Sequence, residues 1–281
     1  MTKVALCLSG TIGSVGGPSE KGYKSDVRIL MKAYEHYKRH IIDKNNIDIF
    51  IHCWDKDLEF DIQMLYKPIR YKIEKQIKFK FPNYVKGRGG RGQSHYSRWY
   101  SNMIVNNLRE EYEQENDFKY DYVMTTRFDL AFETDLIFSN FYNNYFYAGK
   151  WSAVFDQNNN DLFLGGRGPL YDLIENNDPM IKRTSLQTIG YPYDEKGLLD
   201  LWFFCNSDNS SKFYSLYKHL DEYNKPGQCP LSGNSFRSVI SNHQLALYHL
   251  KQINLLDKLK FEFHMYDDFP EVRRKYYKCR I

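Results

Sequence analysis

Short apolar runs alternate with longer amphipathic stretches through the first part of the chain. Residues 4–8, 47–52 and 120–126 are apolar runs of strand length that end in polar or glycine residues, which is typical of buried strands. Between them, apolar residues recur at helical spacing over 25–43 and 94–116, which predicts two amphipathic helices. Strands that alternate with helices indicate an α/β fold with a mainly parallel central sheet flanked by helices. We expect these three strands to be adjacent in it.

The second part of the chain has a weaker pattern. No linker, internal repeat or low-complexity tract separates it from the first part, so we expect one domain over residues 1–281. Alternating apolar and basic positions over 71–81 predict an edge strand with a solvated face. The other predicted elements are strands at 146–149, 161–166 and 198–207 and helices at 210–223 and 236–250.

Composition narrows the class of protein. With 39 basic and 35 acidic residues, the net charge of +4 gives no reason to expect a nucleic-acid partner. The five cysteines are widely spaced and form no CxxC pair, which argues against a disulfide framework or a zinc knuckle and favours a reducing compartment. No apolar run approaches the roughly 20 residues needed to span a bilayer, and no signal-peptide pattern precedes the first strand. We therefore expect a soluble, cytoplasmic protein without a membrane span.

The strand predicted at 120–126 delivers an arginine and a carboxylate at its carboxyl end, where open α/β sheets bind their ligands. Arg127 and Asp129 share one side of the chain because strand side chains alternate with period two. A guanidinium binds a phosphate bidentately, and a carboxylate holds a divalent cation that binds the same phosphates. The pair indicates a nucleotide-diphosphate site, and a simple ion pair at a strand end is the alternative interpretation.

Two further segments offer sites for an anionic ligand. The loop over residues 9–22 carries five glycines, whose backbone amides could approach a nucleotide. Its spacing matches neither a Walker A motif nor GxGxxG, so a plain flexible loop is the alternative. Residues 67–98 contain ten Lys or Arg and the single acid Glu74, a positive field suited to a nucleotide sugar or simply a solvated face.

Three isolated polar residues stand beside apolar runs. His52 and Asp55 follow the second predicted strand and could bind a metal, although a histidine bonded to the backbone is the alternative. Asp200 is the only acid in the apolar segment 198–207, so its carboxylate must be hydrogen-bonded, exposed at the start of the strand, or functional.

Several short segments occur in an order that resembles a known family. They include Ser9-Gly10 after the first strand, Arg127-Phe128-Asp129 after the strand at 120–126, and Asp200 with the apolar residues behind it. The full set covers residues 3–10, 47–55, 66–68, 71–74, 97–101, 120–129 and 200–204, together with His243. The series resembles the GT-A-type glycosyltransferase-like proteins of large DNA viruses, phages and bacterial surface-polysaccharide loci. GT-A members often carry Asp-x-Asp as the metal motif, and this chain keeps only the second aspartate, Asp129.

The resemblance implies a single GT-A-like domain, with a Rossmann-like nucleotide-sugar-binding half over about 1–130 and an acceptor half over about 131–281. It implies a glycosyltransferase that moves a sugar from a nucleotide sugar to a glycan, a glycoprotein or another hydroxyl acceptor. Mn²⁺ or Mg²⁺ would assist departure of the nucleoside diphosphate. Such an enzyme would lie in the cytoplasm, the host cytoplasm if it is viral.

The resemblance also assigns roles to individual residues. Asp129 would be the metal ligand, Arg127 would contact the diphosphate, and Ser9 and Gly10 would lie beside the nucleotide. Asp200 would be the catalytic base, with a pKa raised by burial. Asp161 and Asp156 are the alternatives to Asp200, and Trp202 would contact the acceptor. His243 would contact the acceptor or bind the metal, and a structural histidine on a helix is the alternative interpretation. The alternative functions are a non-catalytic carbohydrate-binding protein and a nucleotidyl or phosphoryl transferase that uses Asp129 with magnesium.

Overall fold

A seven-stranded sheet forms the centre of the protein. The computed structural model describes residues 2–15, 24–85, 91–150, 152–155, 182–185, 198–228, 242–264 and 268–277. The strands of the central sheet are β1 (Lys3–Gly10), β2 (Asn46–Cys53), β3 (Arg70–Ile73), β4 (Tyr122–Thr126), β5 (Phe146–Lys150), β8 (Trp202–Cys205) and β9 (Leu259–His264). Strands β6 (Ser152–Phe155) and β7 (Lys182–Ser185) pair with each other in a separate two-stranded sheet.

The strand order of the central sheet is β3-β2-β1-β4-β8-β5-β9. β1 pairs in parallel with both β2 and β4, which confirms the predicted adjacency of the first three strands. β2 and β3, and β5 and β9, are also parallel pairs. Only β8 is reversed, since it is antiparallel to β4 on one side and to β5 on the other. The predicted α/β class with a mostly parallel sheet is therefore confirmed, with one reversed strand that sequence patterns did not reveal.

Helices cover both faces of this sheet. The helices are α1 (Val27–His40), α2 (Glu59–Tyr66), α3 (Arg91–Glu115), α4 (Ser207–Tyr214), α5 (Leu220–Tyr223), α6 (Asn242–Gln252) and α7 (Val272–Tyr277). Side chains of β1 alternate between the two faces: Val4, Leu6 and Leu8 pack in one core cluster with α1 and α2, and Ala5 and Cys7 pack in another against α3. This alternation explains why the first strand is apolar throughout.

Several predicted elements differ in extent from the observed ones. The strand expected over 198–207 is limited to β8, because the side chain of Asn206 accepts a hydrogen bond from the backbone N–H of Asn209 at 2.9 Å and caps α4. The helix expected over 210–223 is accordingly divided into α4, a 3₁₀ segment and α5. The edge strand expected over 71–81 is reduced to β3. The strand at 161–166 and the start of the helix at 236 lie outside the described residues.

Beyond the end of β3, Gln93 binds part of the segment that was expected to continue the strand. Its side chain accepts from the backbone N–H of Phe79 at 3.0 Å and donates to the backbone carbonyl of Ile77 at 2.7 Å, so a side chain bonds these groups in place of a neighbouring strand. The described cysteines, Cys7, Cys53 and Cys205, are buried and free. No helix in the described part of the chain is long and apolar enough to cross a membrane.

Candidate functional site

The reversed strand β8 brings distant parts of the chain to one edge of the sheet. β1 ends at Gly10, and the last residue of β4, Thr126, pairs with Trp202, the first residue of β8. Because β8 is antiparallel, it begins at the edge where its parallel neighbours end. Asp200, two residues before β8, therefore lies at the same edge as Arg127 and Asp129, although more than 70 positions separate them in the sequence.

Arg127 and Asp129 form a two-pronged ion pair. Nε of Arg127 donates to Oδ1 of Asp129 at 2.8 Å, and Nη2 donates to Oδ2 at 2.5 Å. A second carboxylate, Glu271, forms an ion pair with the same Nη2, with Oε1 at 3.2 Å. Glu271 reaches this position because residues 129–131 and 270–272 are hydrogen-bonded through their backbones, with Val272 N–H donating to Asp129 O at 2.8 Å. No local sequence pattern indicated Glu271.

The charges in this cluster hold one another ionised. Burial alone would lower the pKa of Arg127, but Asp129 and Glu271 raise it above its ordinary value. Burial alone would raise the pKa of Glu271, and Arg127, Arg274 and Arg273 together bring it below its ordinary value. Arg127 and Glu271 are therefore both charged near neutral pH, and the side chain of Arg127 remains 28% exposed.

Asp200 and His243 form a second pair at this edge. Nδ1 of His243 lies 3.0 Å from Oδ1 of Asp200 and 2.9 Å from the carbonyl oxygen of Leu198. The backbone N–H of Asp200 also points at Nδ1, at 3.2 Å. Two acceptors against one donor favour a proton on Nδ1, an assignment that follows from the surrounding groups. In a neutral ring the lone pair then lies on Nε2.

The expected pKa shift of Asp200 was wrong in direction. Burial does act to raise its pKa, but His243, Arg98 and Arg127 lower it further than burial raises it. Arg98 touches Asp200 twice: Nη2 donates to its backbone carbonyl, and Nε lies 4.0 Å from Oδ2. Asp200 is therefore an ionised partner for cations, and on its own it is a weak proton acceptor near neutral pH.

Helix α3 positions much of this edge. Arg98 contacts Asp200, and one turn later Asn102 accepts a hydrogen bond from Ser9 Oγ at 2.6 Å. A turn further, Asn106 donates to Thr125 Oγ1 of β4 at 3.1 Å. The available signal in the sequence was the spacing of four between Arg98, Asn102 and Asn106. It was missed because the aromatic residues of the same helix form the more conspicuous pattern.

Two other predicted site residues, Ser9 and Trp202, are buried in the protein interior. Ser9 is buried against Asn102, as described. Trp202 is only 1% exposed and packs on Phe204, with ring centroids 5.7 Å apart, and edge-on to Phe269 at 5.4 Å. The structure thus places Trp202 in the hydrophobic core, with no surface for an acceptor to stack on. Asp156 and Asp161 lie outside the described residues.

His52 and Asp55 are engaged separately. The ring of His52 is buried between the Ser101 hydroxyl, 2.6 Å from Nδ1, and the Glu74 carboxylate, 3.2 Å from Nε2. Its partners are side chains, whereas a backbone partner was expected. Asp55 accepts from the backbone N–H of Ile12 at 2.6 Å and so fixes the beginning of the loop after β1. Both residues hold this edge of the sheet together.

The fit of a divalent ion depends on Asp129 and Glu271. Both carboxylates are bound to Arg127, and Glu271 also contacts Arg273 at 3.2 Å and Arg274 at 2.5 Å. In the described ranges no three or more His, Cys, Asp or Glu residues are grouped to hold a metal. An ion at Asp129 would have to displace a guanidinium, so the observed arrangement fits arginine better than a metal. The metal site at Asp129 stays a prediction.

Gly10 has a backbone conformation that favours glycine. Its φ is +106°, and a Cβ added there would meet nothing within 4 Å. Gly10→Ala should therefore cost about 1–3 kcal/mol of stability through backbone strain alone. Urea unfolding measures this. Gly227 has a φ of +81° and equally open space, so Gly227→Ala should show a similar backbone strain and is the matched control away from the site. Equal stability of Gly10→Ala and the wild type would contradict the strain.

Comparison with protein-family models and with curated protein sequences finds no match for this chain.

Proposed function

We propose that the protein is a nucleotide-sugar-dependent glycosyltransferase of GT-A type. One observation carries the proposal: the arginine–carboxylate cluster after β4 and the Asp200–His243 pair before β8 meet at one carboxyl edge of a mostly parallel sheet. Such an edge is where open α/β sheets bind nucleotides. The resemblance of the sequence segments to glycosyltransferase-like proteins supports the same function. Free buried cysteines are compatible with a cytoplasmic location.

The donor would lie with its diphosphate at Arg127. When the bond between sugar and diphosphate breaks, its electron pair leaves with the diphosphate oxygen, and negative charge grows there. The guanidinium of Arg127 is aimed by Asp129 and Glu271, so little reorganisation is needed when that charge appears. Gly10, at the end of β1, would let the nucleotide approach the backbone closely.

The acceptor would be deprotonated by the Asp200–His243 pair. In a direct displacement, the acceptor oxygen forms a bond to the anomeric carbon while the bond from that carbon to the diphosphate breaks. The hydroxyl proton passes to Nε2 of His243, and the ionised Asp200 stabilises the imidazolium that results. Asp200 thus acts through His243, as a positioning residue.

A divalent ion, if one binds, would supply additional positive charge against the leaving diphosphate. The resemblance assigns the ion to Asp129, and Glu271 contacts the same arginine, Arg127, as Asp129 does. The proposed transferase function does not depend on the ion. Whether the protein is a transferase and whether an ion takes part are tested separately.

The function is tested with a panel of nucleotide sugars. We expect at least one to raise the melting temperature and to be hydrolysed slowly to the free sugar and the nucleoside diphosphate. Each measurement is made with Mn²⁺ and again with EDTA. A protein that responds to glycans alone, and to no nucleotide sugar, would be a lectin and would refute the proposal.

Asp129→Asn should weaken binding of the responding donor about tenfold, because an amide N–H would face the guanidinium of Arg127 in place of one carboxylate oxygen. Calorimetry measures the affinity. Asp121→Asn is the matched control, since Asp121 is exposed before β4 and accepts from the backbone N–H of Lys3 at 2.8 Å. Unchanged donor affinity in Asp129→Asn would show that this carboxylate serves the fold alone.

A further inference from the structure

Arg98 is a buried cation with few partners. Its side chain is 13% exposed. Among the described residues its contacts are the donation from Nη2 to the backbone carbonyl of Asp200 and the 4.0 Å approach of Nε to Oδ2. The Nε atom is buried and has no hydrogen-bond partner there. A guanidinium has five N–H donors, so Arg98 holds donors that no described acceptor uses.

Arg109, three turns further along the same helix, shows what a structural arginine looks like in this protein. It is fully buried, and its two Nη atoms find four side-chain acceptors. These acceptors are Glu110, Glu113, Ser207 and Ser211, at 2.6 to 3.2 Å. Burying a cation is costly unless it is paired and hydrogen-bonded. Among the described residues the Nη atoms of Arg98 have fewer acceptors than those of Arg109, while the Nε atom has no hydrogen-bond partner in either residue. The unused Nη donors of Arg98 are the ones that a ligand would bind.

The charges around Arg98 leave room for an anion. In the part of the chain that the structure describes, the cluster contains four arginines and three carboxylates, a net charge of +1 before any histidine is protonated. The arginines are Arg98, Arg127, Arg273 and Arg274, and the carboxylates are Asp129, Asp200 and Glu271. The pKa of Arg98 is lowered by burial, and Asp200 restores only part of the loss.

Arg98 and Arg127 lie on different elements, and the charges of both lower the pKa of Asp200. Arg98 contacts Asp200 from α3, and Arg127 follows Thr126, whose partner in β8 is Trp202. Arg127 is 28% exposed, so a ligand has access to it from solvent. Two guanidinium groups at one edge of the sheet match the spread of charge over two linked phosphates, which arginine binds bidentately.

We propose that Arg98 and Arg127 bind a diphosphate group directly, with no divalent ion between them and the phosphates. This inference rests on the proposed function, in which the group is the diphosphate of the donor. Asp129 and Glu271 then serve to aim Arg127, which explains why both carboxylates are taken up by arginines. The single aspartate in Arg127-Phe128-Asp129 agrees with this division of roles.

The experiment is calorimetric titration of the full chain with inorganic pyrophosphate in the presence of EDTA. The wild type should bind it, and Arg98→Gln should bind it about tenfold more weakly, as expected for loss of a charge-assisted hydrogen bond. Asp200→Asn should bind it more tightly, because it removes the negative charge beside Arg98. Arg70→Gln is the control, since Arg70 pairs with Glu111 and Glu115 at the far edge strand.

Absence of pyrophosphate binding in EDTA, or equal affinity in Arg98→Gln, overturns the proposal. If Arg98→Gln does not fold, Asp200→Asn decides, and unchanged or weaker binding there overturns it. Binding of pyrophosphate without binding of any nucleotide sugar supports the anion site and refutes the transferase function. Binding of a nucleotide sugar that requires Mn²⁺, with no pyrophosphate binding in EDTA, supports the transferase function and refutes the metal-free anion site.

Discussion

Asp200→Asn should lower kcat by about 10² to 10⁴ while donor affinity is retained or increased. The substitution keeps the shape of the side chain but removes the charge 3.0 Å from Nδ1 of His243. The imidazolium formed during transfer would lose its stabilising partner, and the amide could hold the ring with the proton on the wrong nitrogen. The measurement is single-turnover transfer with the donor found in the nucleotide-sugar panel.

A double variant separates a positioning role from a general loss of structure. If Asp200 acts through His243, then His243→Gln should be about as slow as Asp200→Asn, and the double variant should be no slower than either. Independent effects would multiply instead. Transfer by Asp200→Asn at close to the wild-type rate would show that the pair has no part in proton transfer, and Asp161 would be the next carboxylate to replace.

Acidification should destabilise the protein because two buried histidines are neutral in the fold. Burial lowers the pKa of His52 and of His249 from 6.5 to about 4. Both rings are therefore neutral in the folded protein at pH values where the unfolded chain has already taken up a proton. Stability is lost as the pH falls from 6.5 towards 4, by about 3 kcal/mol for each histidine at the full shift. Urea unfolding at about pH 7 and pH 4.5 measures the change.

The two buried rings have different neighbours, and replacing one of them provides the control. His249 is buried beside the hydroxyl of Tyr223, 2.9 Å from Nδ1, and the ring of His219, a second histidine, is tilted against it at a centroid distance of 5.6 Å. His52 faces Glu74, which opposes the shift without reversing it. His249→Gln should lose roughly half of the pH dependence that the wild type shows in this interval. Equal stability of the wild type at both pH values would contradict the assignment of two neutral, buried imidazoles.

Sequence patterns predicted the parallel part of the sheet because those strands are apolar on both faces. They also identified Arg127, Asp129 and Asp200, since polar residues beside apolar runs are conspicuous. Arg98 and Glu271 were missed because long-range backbone pairing and helix orientation decide their positions, and neither leaves a local periodic signal. The pKa shift of Asp200 could not be predicted either, because its sign depends on cations that only the fold brings near.

The pairing of residues 129–133 with 268–272 has a consequence for how the protein can be divided. Three backbone hydrogen bonds of 2.7 to 2.8 Å join these segments, and through them Glu271 helps to aim Arg127. The expected boundary near residue 130 therefore separates two stretches of sequence that form one ion-pair cluster. A fragment or chimera cut there would carry Arg127 without one of the carboxylates that orient it, so the N-terminal half cannot be exchanged as a module.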